Sequence, residues 1–130
     1  MIRHFEITDA ADLAGLRHTV WAVEVPDDLE LAAPRLGRRT LTGGLRTYDE
    51  CRREAARLRA TGATAIAAPS AALRDGEARG WRVEGGLRPA AERDGRVIAI
   101  FGPRPDLVAW RASVEGKPDR ALLEKVRPLR

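Results

Sequence analysis

Cys51 is the only cysteine in the chain, which excludes an internal disulfide framework and a cysteine-rich zinc site. His4 and His18 are the only histidines, and they lie far apart with no cysteine or carboxylate cluster beside them, so no metal site is expected. Long apolar runs are also missing. No stretch approaches the roughly 20 apolar residues of a membrane span, and none follows the basic residues at the N-terminus as a signal peptide requires. The expectation is a protein of a bacterial-type cytoplasm with no membrane partner. Lys117 and Lys125 are the only lysines, so the net charge of +4 rests on arginine. Arginine holds phosphate bidentately, but the excess is modest and spread along the chain, as a genome rich in Arg, Ala and Gly codons would also produce. The standard catalytic signatures are absent too: no phosphate-binding loop, no dinucleotide glycine fingerprint after a strand, no nucleophile elbow. Gly43-Gly44 and Gly85-Gly86 are isolated pairs that read as turns.

What is present describes one small globular domain covering residues 1–130. Apolar residues make up 44% and charged residues 32%, within the globular range. Residues 2–5 have the pattern of a last helical turn. Thr8 to Leu16 predicts a short helix capped by Thr8 or Asp9. His18 to Val25 alternates and is β-branched, hence a strand, ended by Pro26-Asp27-Asp28. Residues 29–46, with Pro34, Gly37, Gly43 and Gly44, read as irregular. Thr47 and Glu50 have capping-box spacing, opening a helix to Ala60 whose buried stripe is Tyr48, Cys51, Ala55 and Leu58. Asp49 with Arg53, and Glu54 with Arg57, are spaced for ion pairs on its outer face. Gly62 stops it. Ala63 to Pro69 reads as a buried strand with Ser70 at its end. A short strand is expected around Trp81 to Val83. Asp94-Gly95 makes a turn into the clearest strand, Arg96 to Phe101. A further strand over Leu107 to Val114 and a last helix over Pro118 to Val126 complete the chain. The irregular interleaving, without βαβ repetition, predicts an α+β fold with a small mixed sheet and a few helices.

Few side chains stand out as chemistry. Cys51, on the apolar stripe, reads as a buried inert thiol. Trp21 and Trp110 read as core, with Trp81 the exception in its polar loop. Residues 35–59 hold eight arginines against three acids, enough to track phosphates, although aromatics are sparse there and several arginines are spaced to pair with acids. Nucleic acid is therefore not the expected ligand. A non-catalytic interaction domain, nucleic-acid associated through 35–59, is the alternative function.

One longer pattern runs from His18 to Phe101: a strand ending in Val25-Pro26-Asp27, an irregular segment, a helix from Tyr48 to Leu58, a strand ending in Pro69-Ser70-Ala71, and the strand Val97 to Phe101. This order resembles the C-terminal half of the RES domain family. The resemblance implies an ADP-ribosyltransferase-like fold and an NAD-degrading toxin of a toxin–antitoxin pair, acting by hydrolysis or phosphorolysis of the nicotinamide–ribose bond. NAD would then be a substrate, with no separate cofactor, and an antitoxin protein a partner. Of the family's arginine, glutamate and serine, Ser70 alone carries over. The other two fall before Met1 on this alignment, and Glu6, the nearest carboxylate, is out of register. The expectation is a truncated or degenerate domain lacking its N-terminal part, uncertain as an enzyme and with an open sheet edge that favours homo-oligomers. Ser70 is the candidate catalytic and substrate-binding residue. Arg46 and Tyr48 join it as candidate binding residues because a helix N-terminus can face a phosphate.

Overall fold

The computed structural model describes residue 3 and residues 5–129; Ile2 and His4, of the helical turn expected over residues 2–5, lie outside them. The first helix, α1 (Ala10–Ala14), begins where Asp9 accepts a hydrogen bond from the Asp12 backbone N–H at 2.8 Å, a side-chain cap of the expected kind. Strand β1 (His18–Val23) follows. The segment expected to be irregular contains a two-residue strand, β2 (Leu31–Ala32), and a single helical turn, α2 (Arg38–Leu41). A 3₁₀ turn (Leu45–Thr47) then runs directly into α3 (Tyr48–Ala60).

That 3₁₀ turn removes the expected capping box. Thr47 already has helical backbone angles (φ −97°, ψ −6°) and makes no side-chain cap; its hydroxyl donates to the Gly44 carbonyl at 3.0 Å. A cap needs an extended backbone at that position. The buried stripe of α3 is also shorter than expected: Leu58 is buried, whereas Tyr48 is 46% exposed. On the outer face Glu54 pairs with Arg57 at 2.8 Å, and among the described residues Asp49 and Arg53 form no ion pair. The C-terminus follows expectation closely. Gly62 adopts φ +89°, its N–H donates to the Arg59 carbonyl and that of Ala63 to the Leu58 carbonyl, each at 3.0 Å. This is the Schellman pattern, which a left-handed residue closes.

Strand β3 (Ala65–Pro69) pairs parallel with β2 and antiparallel with β6 (Arg96–Ile100), in the register Ala65↔Ile100 through Pro69↔Arg96. The helices between β2 and β3 thus form one β–α–β crossover, which two-residue β2 was too short to announce. Between β3 and β6 lies a hairpin of β4 (Trp81–Val83) and β5 (Leu87–Pro89), turned by Gly85-Gly86. Strand β7 (Ala109–Gly116) returns to β1, antiparallel and irregular, from His18↔Gly116 to Val23↔Ala109. The last helix, α4 (Leu122–Lys125), is only one turn long. The class is α+β, as expected, but the strands form three small sheets, and only β2-β3-β6 is mixed.

The apolar core is thin. Leu13, Leu58, Ala65, Ile66, Ala90 and Leu129 are its buried members. Trp21 (57% exposed) and Trp110 (40%) lie outside it, against expectation: among the described residues β1 and β7 pack chiefly on each other. Polar stitching does much of the remaining work. The Arg3 guanidinium donates to the carbonyls of Ala71 and Gly43, to Pro128 at 3.2 Å and to Thr42 at 3.4 Å. Glu54 accepts from the Arg35 backbone N–H at 2.7 Å as well as from Arg57, tying the segment before α2 to α3. Its side chain is only 10% exposed.

Two predictions follow from these contacts. A Cβ at Gly62 meets no atom within 4 Å, so Gly62→Ala carries only the left-handed backbone penalty, about 1 kcal/mol. At Gly80 a Cβ would lie 2.5 Å from the Ala90 carbonyl oxygen and 2.4 Å from the Arg93 Cβ. Gly80→Ala is therefore expected to cost more, about 3 kcal/mol, and urea unfolding of the two variants gives the order. The second concerns acid. The Arg57 guanidinium, helped by the Arg35 N–H, lowers the Glu54 carboxyl to about 2. Its folded value lies below the unfolded one of about 4.3, so its stabilisation is present above that pH and lost as pH falls toward 2. Denaturant unfolding between pH 5 and pH 3 (roughly the upper part of that window) should show stability falling with acid, and Glu54→Gln should flatten the slope.

Candidate functional site

Ser70 is where the fold gathers its polar groups. Pro69 ends β3, and the chain turns there under three restraints. The Ser70 N–H donates to the Gly95 carbonyl at 2.7 Å, and the Ser70 Oγ accepts from the Leu73 N–H at 3.4 Å. Leu73 makes a β-bridge to Val126, with the Arg74 N–H donating to the Lys125 carbonyl and the Arg127 N–H to the Ala72 carbonyl. Residues 70–75 are thereby held between the turn before β6 and the C-terminal segment. Ser70 itself is 8% exposed, the one buried polar residue among those described.

A cavity of about 510 Å³ opens beside it. Its walls include Leu31 and Ala33 from the β2 segment, Ala67 to Ser70, the following loop, and Asp94 to Arg96. Arg38, Arg74 and Arg96 line it together with Asp75 and Asp94. Arg38 stands at the first position of α2, and Arg96 is placed by the register that sets it opposite Pro69. The two carboxylates are already engaged. Asp94 accepts from the Gly80 N–H at 2.6 Å. Asp75 Oδ1 receives both the Arg38 guanidinium and that of Arg127, the latter at 2.6 Å, while Arg127 Nε donates to the Leu73 carbonyl at 2.7 Å. The Arg38 guanidinium, with Arg127 beside it, holds the Asp75 carboxyl below the ordinary carboxylate range. Arg74 and Arg96 form no ion pair among the described residues. The cavity lining thus sets three arginines against two carboxylates, an excess of one positive charge beside a buried hydroxyl, an arrangement suited to an anion.

The other sequence candidates fall elsewhere. Arg46, in the 3₁₀ turn, and Tyr48, at the start of α3, are exposed and do not line the cavity. Glu6 lines a second cavity, also about 510 Å³, with Arg3, Arg74 and Arg127. Cys51 is half-buried, its thiol 3.6 Å from the Thr40 carbonyl, and burial with the nearby Glu50 charge pushes its pKa up. A raised thiol pKa leaves little thiolate to act as a nucleophile. The arginines of 35–59 do not form one front: Arg38 pairs with Asp75, Arg57 with Glu54, and Arg59 lies over the Phe101 ring at 5.2 Å. No group of three His, Cys, Asp or Glu among the described residues is placed to hold a metal, and no described helix is long and apolar enough to cross a membrane.

Sequence reasoning missed Arg38, Arg74 and Arg96. Arg96 was not legible because β3, whose end it faces, is separated from β6 by the β4–β5 hairpin. The positions of Arg38 and Arg74 depend on long-range packing that no local pattern encodes. Comparison with protein-family models, curated proteins and solved structures finds no match to this chain.

The Ser70 hydroxyl makes one long hydrogen bond, so losing it should cost little. Ser70→Ala is expected to lower stability by no more than about 1 kcal/mol, read from the shift in thermal midpoint, and to keep the native circular dichroism.

Proposed function

We propose that the cavity at the end of β3 binds NAD, as a RES-type site on an ADP-ribosyltransferase-like scaffold. The observation that carries this reading is the buried Ser70 hydroxyl in a cavity that also presents Arg74 and Arg96. Its volume of about 510 Å³ lies inside the range of small-ligand pockets. The pyrophosphate of NAD offers paired oxygens to guanidinium groups, and on this reading the Ser70 hydroxyl orients a ribose or nicotinamide group.

Cleaving the nicotinamide–ribose bond transfers the ribose C1′ to water or phosphate while nicotinamide leaves with the bonding electron pair. Positive charge builds on the ribose in the transition state, and a carboxylate facing it supplies the electrostatic stabilisation. Asp75 and Asp94 are the carboxylates of this cavity, and both are committed to neighbouring donors. On this reading NAD binds and turnover is slow, the behaviour of a degenerate member of a toxin–antitoxin toxin family. An antitoxin partner would act by covering the cavity mouth.

Calorimetric titration with NAD tests the reading. Ser70→Ala and Arg96→Ala should each weaken binding about tenfold, equivalent to about 1.4 kcal/mol, and NAD loss should be followed in parallel with and without added phosphate. Absence of binding at millimolar NAD would overturn the proposal. Steeply salt-dependent nucleic-acid binding that Ser70→Ala leaves unchanged would instead identify an interaction domain.

A further inference from the structure

The chain exposes far more surface than its mass predicts. A folded monomer of 14.3 kDa is expected to leave about 6,800 Å² accessible, whereas this fold leaves 9566 Å². The difference exceeds several-fold the roughly 800 Å² that each partner contributes to a standard interface.

Part of that surface is concentrated on β1 and β7. The two strands pair with each other in a sheet of their own and pack chiefly on each other. Val20, Trp21, Val23, Val108 and Trp110 are exposed on and beside this pair. A sheet of two strands is marginal by itself in water and gains stability from further strands or a covering layer. Each of its outer edges is open among the described residues, but the two edges differ. β7 carries Arg111 and Glu115, and Glu115 sits at φ +53°, a backbone irregularity that interrupts pairing. Charges and irregularities of this kind protect edges from further pairing. β1 reads His-Thr-Val-Trp-Ala-Val, with no Lys, Arg, Asp, Glu, Pro or Gly. Nothing on it opposes another strand.

We propose that the free edge of β1 is a two-fold interface between two copies of this chain. The two β1 strands pair antiparallel there, joining two two-stranded sheets into one of four in the order β7-β1-β1-β7. A second copy suits this edge because an isologous contact must be self-complementary, and β1 meets that condition. With the two-fold axis at Val20, the two Val20 side chains face each other and each Thr19 faces the other copy's Trp21, an aromatic and β-branched pair of the kind that stabilises sheets, and no like charges meet. The inference rests on the surface and the strand edge, independently of the NAD reading.

Sedimentation equilibrium on the full chain tests it. The wild type should sediment at twice 14.3 kDa in the micromolar range. Val20→Lys places an ammonium group at the centre of the interface and should weaken association about 30-fold or more, as for a central interface residue, with unchanged far-UV circular dichroism. Should Val20→Lys fail to fold, hydrogen exchange on the wild type decides. The β1 amides that do not donate to β7 should become protected as concentration rises. A wild type that stays monomeric, a dimer that folded Val20→Lys leaves intact, or β1 amides whose exchange ignores concentration would each overturn the proposal. Capture of a different protein on β1 by a monomeric chain would do the same.

Discussion

The Arg3 guanidinium joins three parts of the chain that are far apart in sequence. It donates to carbonyls of the α2-to-3₁₀ connection, of the loop after β3 and of the C-terminal segment. Five N–H donors in a rigid planar fork make arginine the side chain able to satisfy several carbonyls at once. One of its acceptors is the carbonyl of Ala71, the residue after Ser70. The placement of the buried hydroxyl thus depends on a residue almost seventy positions upstream, and the cavity is held from behind by main-chain contacts as much as by its own walls.

The same economy runs through the rest of the molecule. Among the described residues six apolar side chains are buried, two of them alanines, and they supply little hydrophobic stabilisation. Arginine contacts compensate in kind rather than in strength. Arg38 and Arg127 converge on an exposed Asp75, Lys125 meets Glu77 at 3.2 Å, and Arg82 meets Glu92. Exposed pairs of this sort contribute at most about 1 kcal/mol each. Their value lies in geometry: Arg127 holds Leu73 and Asp75 together, and with them the loop that carries Arg74 into the cavity. The bias toward arginine, which composition alone attributes equally well to codon usage, here has structural employment at several positions.

Much of the fold was legible wherever local pattern and tertiary context agree. Helix α3 announced itself through Leu58 and Gly62, β3 through its apolar run, and β6 through the Asp94-Gly95 turn. Ser70 was legible as a strand-end residue and proves to be the buried polar group of the cavity. Legibility failed where distance decided the outcome. Thr47 and Glu50 have the spacing of a cap, but the 3₁₀ turn before them sets the backbone in a conformation that cannot use it. Trp21 and Trp110 have the alternation of core residues, yet hydrophobic alternation says which face seeks cover without saying that cover exists. The NAD reading comes from the lining of the cavity at Ser70.

The pairing of His18 with Gly116 has a consequence for the birth of the protein. β1 leaves the ribosome roughly 90 residues before its partner. At usual synthesis rates of about 5–20 residues per second, the interval is roughly 5–20 s. Throughout it, Val20, Trp21 and Val23 have no strand beside them. Contacts of such wide sequence separation also form slowly once the chain is complete, because loop closure must precede any reward. For that interval, β1 segments on neighbouring chains of a polysome are the most immediate alternative to the native partner strand.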